Sequence, residues 1–202
     1  MSRLLVCLAW CVAGVALGAE TPQAQLLSRL HEPAVLRGSF VQERQIAGFK
    51  KPVQSGGRFL VARGTGLVWH TMRPFESLLV INRDHLRVSN GAGQPGMELD
   101  ATKEPMMRTL NDLLQAVVVA DLSMLQKQFD VETNFAGSAD WSMKLRPREA
   151  ALRARFASID LAGDAHVRTV RLQEQSGDVT TVRFSEQTED VHLTDAEAGQ
   201  LR

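Results

Sequence analysis

Five histidines, two cysteines and a balanced set of carboxylates are the side chains of this 202-residue sequence that could do chemistry. His31, His70, His85, His166 and His192 show no HxH or HxxxH spacing, so no two are set one strand repeat or one helical turn apart. They fall on different expected elements, and a metal centre would require folding to bring them together. The spacing therefore predicts no metal site. Serine chemistry lacks a G-x-S-x-G elbow in a strand–turn–helix context. Acidic residues are plentiful but occupy expected turns and polar strand faces, and none forms a recognisable acid–base pair. Gly64-Thr65-Gly66 lies between two strands, which makes it a hairpin turn and not a phosphate cradle. The expectation is a chain that is not an enzyme and carries no cofactor. One charged residue stands apart. Arg63 sits at the rim of an apolar strand face formed by Phe59, Val61, Leu67 and Trp69.

The elements that must position this face follow from periodicity. Residues 57–86, GRFLVARGTGLVWHTMRPFESLLVINRDHL, read as three consecutive strands with turns at Gly64–Gly66 and after Pro74, and a short strand over 85–89. Upstream, an amphipathic helix is expected over about 23–37, with Leu26, Leu27, Leu30 and Ala34 near one stripe and Pro33 kinking or ending it. A strand over 38–47 follows, with Phe40, Gln42, Arg44 and Ile46 alternating. Residues 90–104 are rich in glycine and polar groups and read as a loop. Pro105 then opens a helix through Val119 that is apolar nearly all round, including Leu110, Leu113, Leu114 and Val117. Asp121 is the expected N-cap of a second short helix. Strands resume with Phe129, Val131, Thr133 and Phe135, then Trp141, Met143 and Leu145, then 154–161, 167–173 and 179–185. About ten strands with three helices, two of them mid-chain, predict an α+β, mainly antiparallel fold. It is an incomplete, half-open β-barrel with helices covering the concave face. Whether the mid-chain helix is plain core or the wall of an apolar cavity is not decided by composition.

The first nineteen residues, one arginine followed by an apolar run that closes on Ala16, Gly18 and Ala19, read as a cleaved secretory signal peptide. Residues 20–202 are then one domain. Both cysteines lie in the leader, so the exported chain is expected to hold no disulfide and no thiolate metal site. The full sequence carries 23 basic and 23 acidic side chains, and Arg3 is the one charge in the leader. Such a balance argues against nucleic acid and against an anionic membrane surface, which need a concentrated positive field.

The stretch GRFLVARGTGLVWHTMRPFESLLVI resembles the signature region of the periplasmic outer-membrane lipoprotein carrier (LolA-like) family. That region has a glycine-started strand, an arginine six residues before a tryptophan, then a proline and a Ser-x-x-Val-type strand. Ser39-Phe40-Val41-Gln42 is similar to the family's F-x-Q strand. The mid-chain helices and GDVTTVRFS resemble a divergent branch encoded beside lipid or polyene assembly enzymes. The resemblance implies a periplasmic, monomeric carrier whose cavity shields acyl chains. Cargo would come from an inner-membrane transporter and go to an outer-membrane acceptor, the cargo being a lipoprotein or another acylated molecule. The expected cavity wall is Phe40, Phe59, Val61, Leu67, Trp69, Leu79, Ile81, Leu110, Leu113, Leu114, Val117, Trp141 and Met143. Arg63 matches the family arginine that latches the lid, Leu67 a bulky position needed for handover and Trp69 the tryptophan of the same strand. Gly64 stands where the family usually has proline, and Asn82-Arg83-Asp84-His85 replaces its usual Asp-Gly turn. A binding scaffold that transports nothing and a lipid-modifying hydrolase are the competing classes.

Overall fold

In the computed structural model, which describes residues 21–82, 84–90, 95–100, 116 and 118–202, the period-two alternation produces one antiparallel sheet of eleven strands. The strands are β1 Val35–Gln45, β2 Val53–Ala62, β3 Gly66–Arg73, β4 Ser77–Asn82, β5 His85–Asn90 and β6 Pro95–Asp100 in the first half. The second half supplies β7 Phe129–Ala136, β8 Asp140–Pro147, β9 Phe156–Gly163, β10 Val167–Glu174 and β11 Val179–Asp190. Their order across the sheet is β6-β5-β4-β3-β2-β1-β11-β10-β9-β8-β7. The first and last strands thus meet in the middle, paired from Val35 opposite Asp190 to Gln45 opposite Val179, with a bulge on β11 at residues 186–187 opposite Gly38. The outer strands β6 and β7 are not paired with each other, so the barrel stays open.

Four short helices have described bounds, α1 Pro22–Leu27, α2 Leu122–Gln128, α3 Ala150–Arg153 and α4 Asp195–Gln200, and Ala116, Val118 and Val119 are helical as well. Two expectations are corrected here. The first helix ends at Leu27 instead of running toward residue 37, and Val35–Arg37 belong to β1. Pro33 disfavours the helical conformation at Glu32, and two neighbouring strands offer Val35–Arg37 a complete ladder: Ala62, Val61 and Leu60 on one side, Asp190, Glu189 and Thr188 on the other. The stretch 90–104, read as a loop, contains β6, whose register sets Leu86 opposite Leu99 and His85 opposite Asp100. A strand that starts on proline suits the edge position it occupies, since proline cannot donate to a second neighbour. The Asp121 cap is as expected, its carboxylate accepting from Met124 N at 3.1 Å.

Alternation divides the apolar side chains between two cores. On the concave face, Leu36, Phe40, Phe59, Val61, Leu67, Ile81, Leu86, Trp141, Met143, Leu145, Ile159, Leu161, Val182 and Phe184 form one cluster. The helical segments add Leu26, Leu30, Ala116, Val118, Ala120, Leu122 and Leu125 to it. Burying one such large side chain contributes about 1.5–3 kcal/mol, and Leu125, Phe129 and Leu145 are fully buried. On the convex face Val35, Leu60, Ala62, Val68 and Val80 pack under Leu201 with Leu193 alongside. The chain beyond Ser185, for which no element is expected from the sequence, builds this second core. Thr194 and Glu197 cap α4 reciprocally, and Glu197 grips Arg37 of β1 with Nε–Oε1 2.5 Å and Nη2–Oε2 2.7 Å.

Candidate functional site

The concave wall is assembled from alternate residues of adjacent strands. In the β2–β3 register Phe59 faces Trp69 and Val61 faces Leu67; in β3–β4 Leu67 faces Ile81 and Trp69 faces Leu79. Each pair projects to the same side because residues opposite one another in a ladder share a face. Phe40 stacks on Trp69 at 3.9 Å between ring centroids, and Phe184 meets Phe59 edge-on at 4.9 Å and Trp69 at 6.0 Å. Gly38 makes this possible. A Cβ there would lie 2.6 Å from the Phe59 ring. Trp141 stands on the other wing, with its indole N–H donated to Asp164 O at 2.6 Å so that the buried ring leaves no polar atom unpaired.

Nine of the side chains expected in the wall are therefore in one apolar cluster: Phe40, Phe59, Val61, Leu67, Trp69, Leu79, Ile81, Trp141 and Met143. Leu110, Leu113, Leu114 and Val117 lie outside the described residues. Trp69 and Leu79 are the partly buried members and the other seven are buried. Phe184 joins the centre of the aromatic group although it is absent from the expected wall. Its signal is the alternation of Val182 and Phe184 in the last strand, which pairs Phe184 with Phe40 across the sheet.

At the rim, Val61, Arg63, Gly64, Ala116, Val119, Asp121 and Met124 enclose a mainly apolar cavity of about 290 Å³ between the β2–β3 turn and the helical segment. Arg63 is on that turn. Its amide donates to Ala34 O at 2.9 Å, and its guanidinium meets Glu32 Oε2 at 3.0 Å. Gly64 has φ +69°, a value closed to the proline usual at this position in the resembled family. Asn82 Oδ1 accepts from the amides of Asp84 and His85 at 2.9 and 2.7 Å, a side-chain turn that stands in for Asp-Gly.

Another cavity, of about 420 Å³, opens on the convex side among Arg37, Arg58, His70, Glu186, Glu197 and Gln200. Its charged lining would have to be desolvated by any apolar ligand, which is costly, whereas the smaller rim cavity is mainly apolar. His70 indeed faces away from Trp69, and it pairs with Glu76 at 2.9 Å.

The segment between α1 and β1 crosses the open sheet at this end. Arg29 donates to Asp140 O at 2.6 Å and Gly137 O at 3.2 Å and lies 4.7 Å from the Phe135 ring centroid. The His31 amide donates to Ala165 O at 2.9 Å. Folding also does what spacing did not foretell: His31 and His166 converge, both against Glu189, at 2.7 and 2.8 Å. Among the described residues no helix is long and apolar enough to cross a membrane.

No curated protein matches the chain in sequence. Similar solved structures include a LolA superfamily protein from Nitrosomonas europaea, 9% identical over 88% of this chain and 97% of its own, with TM-score 0.48. An uncharacterized conserved protein from Thermus thermophilus aligns at 12% identity over 90% and 94%, with TM-score 0.49. A putative outer membrane lipoprotein-sorting protein domain from Vibrio parahaemolyticus aligns at 10% over 90% and 97%, with TM-score 0.45. The family model described as "Outer membrane lipoprotein carrier protein LolA" matches residues 33–197, from the proline that precedes β1 to the capping glutamate of the last helix, and the chain belongs to that family.

Proposed function

We propose that this protein is a periplasmic carrier that holds the acyl chains of a lipoprotein, or of another lipidated molecule, against the concave face and ferries them between the inner and outer membranes. The observation that carries this reading is the continuous apolar wall under a short helical cover, opening at Arg63 into a rim cavity. Each methylene transferred from water contributes about 0.8 kcal/mol, so a chain of ordinary length binds strongly once the cover moves aside. The cover's own apolar residues, Leu122 and Leu125 above all, occupy the wall when cargo is absent. Binding is then an exchange of one apolar occupant for another, which keeps uptake reversible.

In this reading Arg63 is a latch. It fastens the β2–β3 turn to Glu32 and Ala34 beside α1, and its guanidinium shares the rim with Asp121 and Met124 of the helical cover. Mass spectrometry of the protein purified from its native periplasm tests the function. Co-purified acylated species support the carrier. Their absence points to a scaffold, and a chemically converted lipid to a hydrolase; either result overturns the proposal.

A further inference from the structure

His31, His166 and Glu189 come from three separate parts of the chain and meet at the α1 end of the sheet. Their ligand atoms, His31 Nδ1, His166 Nε2 and Glu189 Oε1, all lie within 4.8 Å of one another. The imidazole rings meet edge to face, with centroids 5.6 Å apart. Each donor is carried on a fixed backbone. His31 is tied by its amide to Ala165 O at 2.9 Å, and the His166 amide donates to Asp164 Oδ1 at 3.2 Å in the β9–β10 turn. Glu189 sits on β11 opposite Leu36 of β1.

The His166 side chain is nine-tenths buried and aimed into this cluster. Its Nε2 approaches Glu189 Oε1 to 2.8 Å without hydrogen-bond geometry and has no other partner. A buried imidazole nitrogen left in that state costs free energy that a bound ion would recover.

We propose that these three residues form a binding site for a divalent transition-metal ion of the zinc class. Two imidazoles and one carboxylate are the donors that zinc and its borderline neighbours select, whereas calcium and magnesium require mostly oxygen. Tetrahedral coordination at ordinary zinc–ligand distances sets donors about 3.3 Å apart. The two histidine–glutamate distances therefore open by about half an ångström on binding, a change within reach of side-chain rotation because His31 and Glu189 are 59% and 41% exposed. The same exposure leaves the fourth position to water. The ion would join the α1–β1 segment to the β9–β10 turn and β11, one residue from the Glu32 that holds Arg63. The proposal does not depend on what the concave face carries.

Zn²⁺ titration of the untagged protein by calorimetry, with Co²⁺ absorption as a second readout, tests it. One equivalent should bind, with the intense visible bands of tetrahedral Co²⁺. His31→Ala and Glu189→Gln should each weaken binding at least about tenfold, since even outer partners of a metal site cost that much. His70→Ala, which removes a histidine paired with one glutamate, should leave binding unchanged. Circular dichroism confirms that each variant is folded, and exposed His31 is the position least able to disturb the core. Binding that is absent, that exceeds one equivalent without site preference, or that survives His31→Ala undiminished would overturn the assignment.

Discussion

Replacing Glu197 with glutamine asks how the convex core is held, and the structure supplies the size of the answer. Glu197 accepts from Arg37 through both oxygens, and Oε2 also accepts from Thr194 N at 2.8 Å and Thr194 Oγ1 at 2.9 Å. The Arg37 hydrogen bonds, partly opposed by burial and assisted by Thr194, draw its pKa from the ordinary 4.5 to about 2. Such a drop sets a ceiling of about 3 kcal/mol. Both side chains keep 21–24% of their surface in water, and screening reduces the contribution to about 1–2 kcal/mol. Because the folded value is the lower one, this stabilisation is fully present above about pH 4.5 and disappears as pH falls through about 2. Glutamine preserves the shape and removes the charge. Urea denaturation of the wild type and Glu197→Gln should show a gap of about 1–2 kcal/mol at pH 7 that closes between about pH 4.5 and 2. Other carboxylates titrate in this range but are common to both proteins and cancel in the difference. A gap absent at pH 7, or undiminished at pH 2, would refute the reasoning.

Other perturbations act on the concave side and the sheet. Arg63→Leu removes an ion pair between side chains 38% and 55% exposed, worth at most about 1 kcal/mol. Folding should be intact and cargo release slowed by up to about fivefold, measured as transfer of a fluorescent acylated peptide to vesicles; release as fast as the wild type would dismiss the latch. Leu125→Ala, at a fully buried position of the cover, should cost about 2–5 kcal/mol in denaturation experiments. Gly57→Ala would set a Cβ 1.8 Å from His70 O, a backbone atom that cannot step aside. The β2–β3 ladder must part, and the thermal midpoint should fall by an amount matching about 1–3 kcal/mol; an unchanged midpoint would contradict the register.

The antiparallel character is legible because period-two alternation survives in β7 and β8, where one face is buried and the other wet; in β2 and β3 both faces are buried over Phe59–Ala62 and Gly66–Val68, the second one under Leu201. Phe59, Val61, Leu67 and Trp69 declare their common side by spacing alone. Leu26, Leu30 and Ala34 keep a helical stripe that suggests a longer first helix, while the ladders that claim Val35–Arg37 come from residues 60–62 and 188–190 and leave no local trace. The strand at 95–100 was hidden because an edge strand needs only one partner and tolerates proline and glycine. The last helix had a readable signal, the Thr194-x-x-Glu197 capping box, but six residues with no apolar stripe carry little weight without the Arg37 contact that secures them. The histidine cluster was beyond reach of spacing altogether, since its members are joined by sheet order.

That same sheet order explains why so many contacts gather on the short segment between α1 and β1. An open barrel has a weakness that a closed one lacks: its two wings are coupled through the central β1–β11 pair. The α1–β1 segment bridges them at one end. Arg29 reaches the β7–β8 turn, His31 the β9–β10 turn, and Glu32 with Ala34 the β2–β3 turn. Arg63 is consequently one fastener among several, and its exposed ion pair is among the weaker ones. Loss of Arg63 should therefore shift the balance between covered and uncovered wall without abolishing the covered state. Slowed release in an otherwise normal protein is the signature expected of a latch, whereas unfolding on loss of Arg63 would make it a structural bolt.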